Sequence, residues 1–203
     1  MNIFNNHFYI NLDERKDRKE FMENELKKLD IIPNRIKAIK MKSGVIGCSL
    51  SHIKCIEQAK KNNWDYVTIF EDDIQIIKLD LLKKKVNELI NKDFDILLLS
   101  GNNFKPFDYI DNDHIKVNKC FTTGSYIIKK HYYNIYLNNL KEGAEKLIKS
   151  NNRDFSLDVY SHILQKKDKW FLLIPICIIQ IPNYSDIEKT NVDYTKLMLN
   201  WNK

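Results

Sequence analysis

An α/β fold, with one parallel or mixed central sheet flanked by helices, is predicted by three observations on this sequence. A strand-like segment near the N-terminus is followed directly by a helix-like one, which is the repeating unit of α/β proteins. Two later apolar runs, YVTIF and DILLLS, lack the alternation of a half-exposed strand. Such runs indicate burial on both faces of a sheet. The length of 203 residues suits a single domain over residues 1–203.

The first half of the chain predicts alternating strands and helices. Residues 7–12 form the first strand, and residues 13–29 form a helix that Asp13 caps. Apolar residues of this helix recur near helical spacing, at Phe21, Met22, Leu26 and Leu29. Similar patterns predict a weak strand at 34–40, a loop at 41–47, a helix at 48–63 capped by Cys48 or Ser49, a strand at 66–72, a helix at 79–90 and a strand at 95–101.

The pattern is less regular in the second half. Residues 102–124 are polar, contain Pro106 and predict a loop with one or two short strands. The remaining elements are a strand at 125–130, a helix at 131–148, a short helix at 156–167 and a final strand at 169–180 that Pro175 breaks.

Composition narrows the function classes. The formal net charge is +6, but the lysines are scattered along the chain. They do not form the dense basic stripe with interleaved aromatic residues that would indicate nucleic-acid binding. Arginine is the rarer base, present at Arg15, Arg18, Arg35 and Arg153, and suits bidentate contacts to phosphate or carboxylate.

The cysteine and apolar patterns predict the compartment. The four cysteines show no CxxC pair, which predicts buried thiols in a reducing compartment and disfavours a zinc site. The N-terminus lacks the pattern of a secretory signal, and the longest apolar run, WFLLIPICIIQI, is too short to span a bilayer. These features predict a cytoplasmic protein without a membrane span.

Three carboxylates, Glu71, Asp72 and Asp73, directly follow the predicted strand at 66–72. Like charges this close repel each other unless a cation or hydrogen-bond donors offset them. A divalent metal fits, because magnesium, manganese and calcium prefer hard oxygen ligands. A solvated turn is the alternative. The carboxyl ends of strands are where open α/β sheets bind ligands, and Gly101 follows another strand in the same way.

Six segments in order resemble glycosyltransferase family 25: YINLDERKDR, GVIGCSLSHIKCIEQA, IFEDDI, TTGSYIIKK, LDVYSHIL and PICIIQIPNYSDI. The resemblance covers nearly the whole chain, and the GCSLSH and FEDD segments carry most of it. Members include lipooligosaccharide galactosyltransferases and collagen hydroxylysine galactosyltransferases, and related domains occur in giant viruses, which would place such a member in the host cytoplasm or the virion.

The resemblance implies a GT-A type fold, in which a DxD-like motif holds a divalent metal on the diphosphate of a UDP-sugar. Manganese is the expected metal, with magnesium as the alternative. Asp73 is expected to bind the metal directly, Asp72 the metal or the ribose, and Glu71 replaces the first aspartate of a strict DxD. Because no histidine follows His162, Gln180 or Asn183 would supply the late metal ligand.

The resemblance also implies donor contacts. Ile10, Asn11 and Leu12 are expected at the uracil and ribose. Arg15 and Arg18 either reach phosphate or remain exposed bases after the helix cap. The predicted donor contacts further along the chain are Ser51, His52, Glu71, Asp72, Thr123, Gly124 and Ser125. For His52 a core position with a hydrogen-bonded ring is the alternative, and for residues 123–125 a simple turn.

Asp158 is the expected catalytic base of an inverting transfer, with the first turn of a helix as its structural alternative. The implied reaction moves a sugar, galactose above all, to a hydroxyl of a glycan, a lipid-linked glycan or hydroxylysine. Two other functions are alternatives. A metal-dependent phosphohydrolase would need further Asp or His ligands around the carboxylates, and His114, His131 and His162 show no ligand spacing. A degenerate module would bind nucleotide sugars without transfer.

Overall fold

The computed structural model describes residues 2–203, in which helices and a few short strand pairs flank one large sheet. The strands are β1 (His7–Asn11), β2 (Arg35–Lys37), β3 (Tyr66–Glu71), β4 (Ile74–Ile76), β5 (Ile96–Leu98), β6 (Asn102–Asn103), β7 (Phe107–Tyr109), β8 (His114–Val117), β9 (Cys120–Phe121), β10 (Ser125–Lys129), β11 (Trp170–Leu173), β12 (Ile178–Gln180), β13 (Asn183–Ser185) and β14 (Thr190–Val192). The helices are α1 (Lys16–Lys27), α2 (Gly44–Lys61), α3 (Leu79–Leu89), α4 (Tyr133–Ser150), α5 (Leu157–Tyr160), α6 (His162–Lys167) and α7 (Thr195–Leu199).

The central sheet has eight strands in the order β2-β1-β3-β10-β5-β11-β8-β7. Strands β2, β1 and β3 are parallel, as are β5 and β11. Strand β10 runs antiparallel between β3 and β5, with Ser125 opposite Phe70, and makes the sheet mixed. The predicted fold class, a mixed sheet flanked by helices, is therefore confirmed.

Two apolar cores lie on opposite faces of this sheet. Successive side chains of a strand point to opposite faces, so Phe8 joins one core and Tyr9 the other. Helices α2 and α4 cover the first face, and α1 and α3 cover the second. Burial on both faces explains the continuous apolar runs of β3 and β5.

Two helices begin at residues other than those predicted. Helix α1 begins at Lys16, and Asp13 lies before it, where its carboxylate pairs with Arg35 and Lys37. Helix α2 begins at Gly44, so the predicted loop over 41–47 and caps at Cys48 or Ser49 are wrong. Gly47 lies inside this helix, where the lack of a side chain lets the helix approach the backbone of Ile39 closely.

Two predicted elements are divided. The helix over 156–167 is split at Ser161 into α5 and α6. The final strand is split into β11, in the central sheet, and β12, which pairs with β4, since proline lacks the N–H group that a ladder needs. All four cysteines are free thiols, and within residues 2–203 no helix is long and apolar enough to cross a membrane.

We expect Gly47→Ala to lower the free energy of unfolding by about 1–3 kcal/mol. A Cβ atom at Gly47 would lie 2.4 Å from the carbonyl oxygen of Ile39, which is backbone and must shift. Gly124→Ala is the control, because its Cβ would meet side-chain atoms at 3.4 Å. Urea denaturation measures both, and equal stability of the two variants would contradict the close contact.

Candidate active site

The acidic cluster lies at the carboxyl end of β3, beside the carboxyl end of the parallel strand β1. The Asn11 side chain donates a hydrogen bond of 2.7 Å from Nδ2 to Asp72 Oδ2. Asp72 and Asp73 are both buried. Parallel pairing of the two strands thus brings together two segments, 10–12 and 71–73, that the sequence separately predicted to bind the donor.

Arg18 supplies a positive charge to the cluster. Its Nη1 lies 3.0 Å from Asp72 Oδ1 and 2.9 Å from Asp73 Oδ2, and its Nη2 donates to the carbonyl oxygen of Tyr184. Arg18 lies in the first turn of helix α1, seven residues after the end of β1. The crowded carboxylates therefore have a cation within the chain, whereas the sequence suggested phosphate for Arg18 and a metal for the acids.

The environment of each carboxyl group differs. Burial, and then the charge of Glu71, raise the pKa of Asp73 to about 7, and burial likewise raises the pKa of Asp72. Burial also acts to raise the pKa of Glu71, but the hydrogen bond and charge of His52 outweigh it and hold that pKa below its ordinary value. Arg18 thus offsets only part of the cost of two neighbouring buried charges.

Two buried oxygens in this cluster lack a hydrogen-bond partner within residues 2–203: Asp73 Oδ1 and Gln180 Oε1. The two side chains are adjacent, because Gln180 Nε2 donates to Asp73 Oδ2 at 2.8 Å. Unpaired carboxylate and amide oxygens are the donor atoms that manganese and magnesium prefer. The residues present therefore fit a divalent metal at Asp73 and Gln180.

A cavity of about 430 Å³ opens over this cluster, and we call it the donor cavity. The N-terminal end of α2 borders it at Gly44, where the first N–H groups of a helix have no partner within the helix and suit an anion. Gly47 lines the cavity as well, but its N–H donates to the carbonyl oxygen of Ser43. The predicted site residues that line it are Ile10, Asn11, Leu12, Arg15, Arg18, Ser51, His52, Glu71, Asp72, Asp73 and Gln180.

A second cavity of about 470 Å³ contains Thr123 and Asp158, and we call it the acceptor cavity because Asp158 is the predicted catalytic base. Its walls are mostly apolar and include Phe104, Phe121 and Tyr194. Asp158 Oδ1 accepts hydrogen bonds of 2.9 Å from Ser156 Oγ and from the N–H of Val159. These bonds orient the Asp158 carboxylate.

The two cavities share a wall to which Cys48, Glu71 and Gln180 belong. His52 stands behind Glu71, with Nε2 at 3.2 Å from Glu71 Oε1 and Nδ1 at 2.9 Å from the hydroxyl of Tyr126. Its ring is fully buried and hydrogen-bonded, which is the core position that the sequence offered as the alternative for His52, and it also borders the donor cavity. Ser185 and Ile187 also line both cavities, so the hairpin that follows β12 completes this wall.

Gly124 and Ser125 lie behind the cavity walls, contrary to the predicted donor-sugar contact. The carbonyl oxygen of Gly124 accepts the N–H of Glu71 at 2.7 Å, and the buried hydroxyl of Ser125 bonds that of Ser100 at 2.8 Å. Both residues continue the pairing of β10 with β3, which leaves Thr123 at the surface of the acceptor cavity. Their role in this structure is to hold the end of β3.

The hairpin of β13 and β14 was missed in the sequence, although residues of its turn line both cavities. Asp186 pairs with Arg15 at 2.6 Å, and Glu188 pairs with both its oxygens to Arg153. The segment is short and polar, so it has no periodicity to reveal it. The sequence feature that could have indicated it is the pair of acidic residues, Asp186 and Glu188, as possible partners for the few arginines.

We expect Arg18→Met to lower the free energy of unfolding by about 3 kcal/mol in chelator, because it leaves Asp72 and Asp73 buried without their cation. Manganese should restore part of the loss by supplying the charge. Arg153→Met is the control, since its ion pair with Glu188 is exposed and should matter little. Thermal unfolding measures both, and equal effects would contradict a structural role for Arg18.

A mixed sheet flanked by helices, with carboxylates at a strand end beside two joined cavities, is a GT-A type fold. The family model described as glycosyltransferase family 25 (LPS biosynthesis protein) matches residues 34–156. The chain belongs to glycosyltransferase family 25.

Three further proteins are similar to this chain. A Haemophilus influenzae protein, whose name provisionally calls it a glycosyltransferase, is 38% identical over 85 residues, which span 41% of this chain and 29% of that protein. Among solved structures, A197 from STIV superposes with a TM-score of 0.52 at 15% identity, over 92% of this chain and 91% of A197. A Drosophila β-1,4-galactosyltransferase 7 mutant in complex with manganese, UDP-Gal and xylobiose has a TM-score of 0.49 at 9% identity, over 97% of this chain and 79% of its own. The likeness to A197 concerns the fold alone.

Proposed function

We propose that this protein is a metal-dependent, inverting glycosyltransferase that moves a sugar, galactose by the family resemblance, from a UDP-sugar to an acceptor hydroxyl. The observation that carries the proposal is the shared wall: the acidic cluster lies in one cavity, Asp158 lies in the other, and Glu71 and Gln180 face both. A transferase must hold two substrates with their reacting atoms in contact, and two cavities that meet supply that arrangement.

The donor cavity suits a nucleotide diphosphate. Asp73 and Gln180 would hold the divalent metal, with Asp72 beside them, and a bound metal neutralises charge that develops on the leaving diphosphate. The N–H groups in the first turn of α2, beside Gly44, add fixed positive dipoles on the same side. Asn11 and Arg15 also line this cavity, and the nucleoside would lie beside them.

The acceptor cavity suits a sugar ring. Its aromatic side chains, Phe104, Phe121 and Tyr194, offer apolar surface for the C–H face of a sugar, and Asp158 offers a proton acceptor. In the proposed reaction the acceptor oxygen bonds to the anomeric carbon as the bond to UDP breaks on the opposite face, and Asp158 takes the hydroxyl proton. A glycan or lipid-linked glycan fits this lining.

The phosphohydrolase alternative gains no ligands from the histidines named for it. His114 packs near Asp111, His131 pairs with Asp95, and His162 faces the carbonyl oxygen of Cys120. These side chains are absent from the linings of both cavities as far as residues 2–203 define them. A module that binds nucleotide sugars without transfer remains the second outcome of the test.

Calorimetric titration of UDP tests the proposal. Binding is expected with manganese, and it should be lost in chelator and in Asp73→Ala. Asp65→Ala is the matched control, because Asp65 precedes the same strand at its opposite end and has an exposed side chain. UDP binding without transfer to any sugar acceptor would identify the binding module, and no UDP binding would refute the donor site.

A further inference from the structure

Three side chains of different chemistry meet at the shared wall. Cys48 and His52 are four residues apart on α2 and therefore lie on the same helix face, and Glu71 ends the adjacent strand β3. Glu71 Oε1 lies 3.2 Å from His52 Nε2 and 3.7 Å from Cys48 Sγ. One potential ligand atom from each residue lies within 4.8 Å of the other two.

We propose that Cys48 Sγ, His52 Nε2 and Glu71 Oε1 form a binding site for Zn²⁺, separate from the Asp73 site. Zinc takes sulfur, nitrogen and oxygen ligands in tetrahedral geometry at about 2.0–2.3 Å, which places ligand atoms about 3.3–3.8 Å apart. The three atoms need only small movements to reach these distances. The fourth position is open to the cavities, which Cys48 and Glu71 both line.

The surroundings of His52 fit a ligating imidazole. A zinc-bound histidine usually donates its other ring N–H to an oxygen that orients the ring. Tyr126 places its hydroxyl 2.9 Å from His52 Nδ1 for this role. Because a hydroxyl donates or accepts, it serves the metal-free ring, whose Nε2–H faces Glu71, and equally the zinc-bound ring, whose Nδ1–H would face Tyr126.

The donor atoms distinguish this site from the Asp73 site. Asp73 and Gln180 offer only oxygen, which suits manganese or magnesium, whereas a thiolate selects zinc. Zinc binding converts the Cys48 thiol to a thiolate and releases its proton to solvent. The thiolate and the Glu71 carboxylate then balance the two charges of the ion.

Occupancy of the site has a consequence that rests on the proposed function. Zinc at the shared wall would immobilise Glu71 and fill space where donor and acceptor meet. We therefore expect zinc to inhibit sugar transfer even in excess manganese. The binding itself does not depend on that function, so the two are tested separately.

Cobalt is the probe for binding, because thiolate-bound Co²⁺ shows a charge-transfer band in the near ultraviolet and intense visible bands in tetrahedral geometry. Titration of the reduced, full-length protein with Co²⁺ should give these bands at one ion per chain, and Zn²⁺ should abolish them by displacement. Absence of the charge-transfer band in the wild-type protein would refute the zinc site, whether or not the protein binds UDP.

Variants assign the ligands. Cys48→Ser should remove the charge-transfer band, and Tyr126→Phe should keep it but weaken zinc binding about 10-fold. Cys55→Ala, on the same helix, and Asp73→Asn, in the other metal site, should both retain the band. A band that persists in Cys48→Ser, or that disappears in Cys55→Ala with the fold intact by circular dichroism, would refute the assignment.

Discussion

Asp73→Asn is expected to reduce the rate of sugar transfer on the order of 1000-fold, since a metal contributes several kcal/mol to stabilising a charged transition state and each tenfold in rate is about 1.4 kcal/mol. Asparagine keeps the shape of the side chain and removes the charge that holds the metal. The loss should appear in the transfer rate and in the affinity for manganese together. Steady-state kinetics over a manganese series measures both.

The same substitution should not destabilise the protein in chelator. Because burial raises the pKa of Asp73 to about 7, the folded protein holds a proton there that the unfolded chain releases at the ordinary aspartate pKa of 3.8. The cost of the buried charge is therefore absent below that ordinary pKa and fully present above about pH 7. Wild-type stability should fall through this window relative to Asp73→Asn, and manganese should remove the difference. If the free energy of unfolding changes with pH in the same way in the wild type and in Asp73→Asn, the buried charge at Asp73 is contradicted.

Asp158→Asn is expected to slow transfer by about 100-fold to 10,000-fold while UDP binding stays unchanged, because general base catalysis contributes that much and Asp158 lies in the acceptor cavity only. The asparagine oxygen can still accept the bonds from Ser156 and Val159, so the start of helix α5 should keep its shape. Transfer rates and UDP titration together separate a catalytic loss from a binding loss.

Asp154→Asn, four residues earlier and exposed, is the control for Asp158. It should transfer at the wild-type rate. A wild-type rate in Asp158→Asn would instead assign the base to one of the two other carboxylates that line the acceptor cavity, Glu71 or Glu188. Glu71→Gln and Glu188→Gln would then separate these two.

Much of the fold could be predicted because it depends on local patterns. The apolar runs that became β3 and β5, and the helical spacing of α1, α3 and α4, are properties of neighbouring residues. The start of α2 could not be predicted, because the reason for Gly47 is the backbone of Ile39, which the fold alone brings near. Strand order was likewise beyond reach, since the antiparallel insertion of β10 depends on long-range pairing.

In the candidate site, too, features that depend on local sequence could be predicted and long-range contacts could not. A run of acids after an apolar strand was sufficient to locate the cluster, and the family resemblance suggested Gln180 as its late partner. Sequence could not show that Arg18 would pair with two of these acids, because nothing local distinguishes it from Arg15. Nor could it join Cys48 to Glu71, since the residues share no spacing and meet only where α2 packs beside β3.

The position of β10 between β3 and β5 has a consequence for protein synthesis. Strands β1, β2 and β3 leave the ribosome long before β10, so the apolar β3, with Val67 and Ile69, has an unpaired edge during that interval. Unpaired apolar edges are sites of aggregation, and long-range pairing is slow to form. Nascent chains that end before Ser125 should therefore need chaperones, and the addition of residues 125–129 should release them.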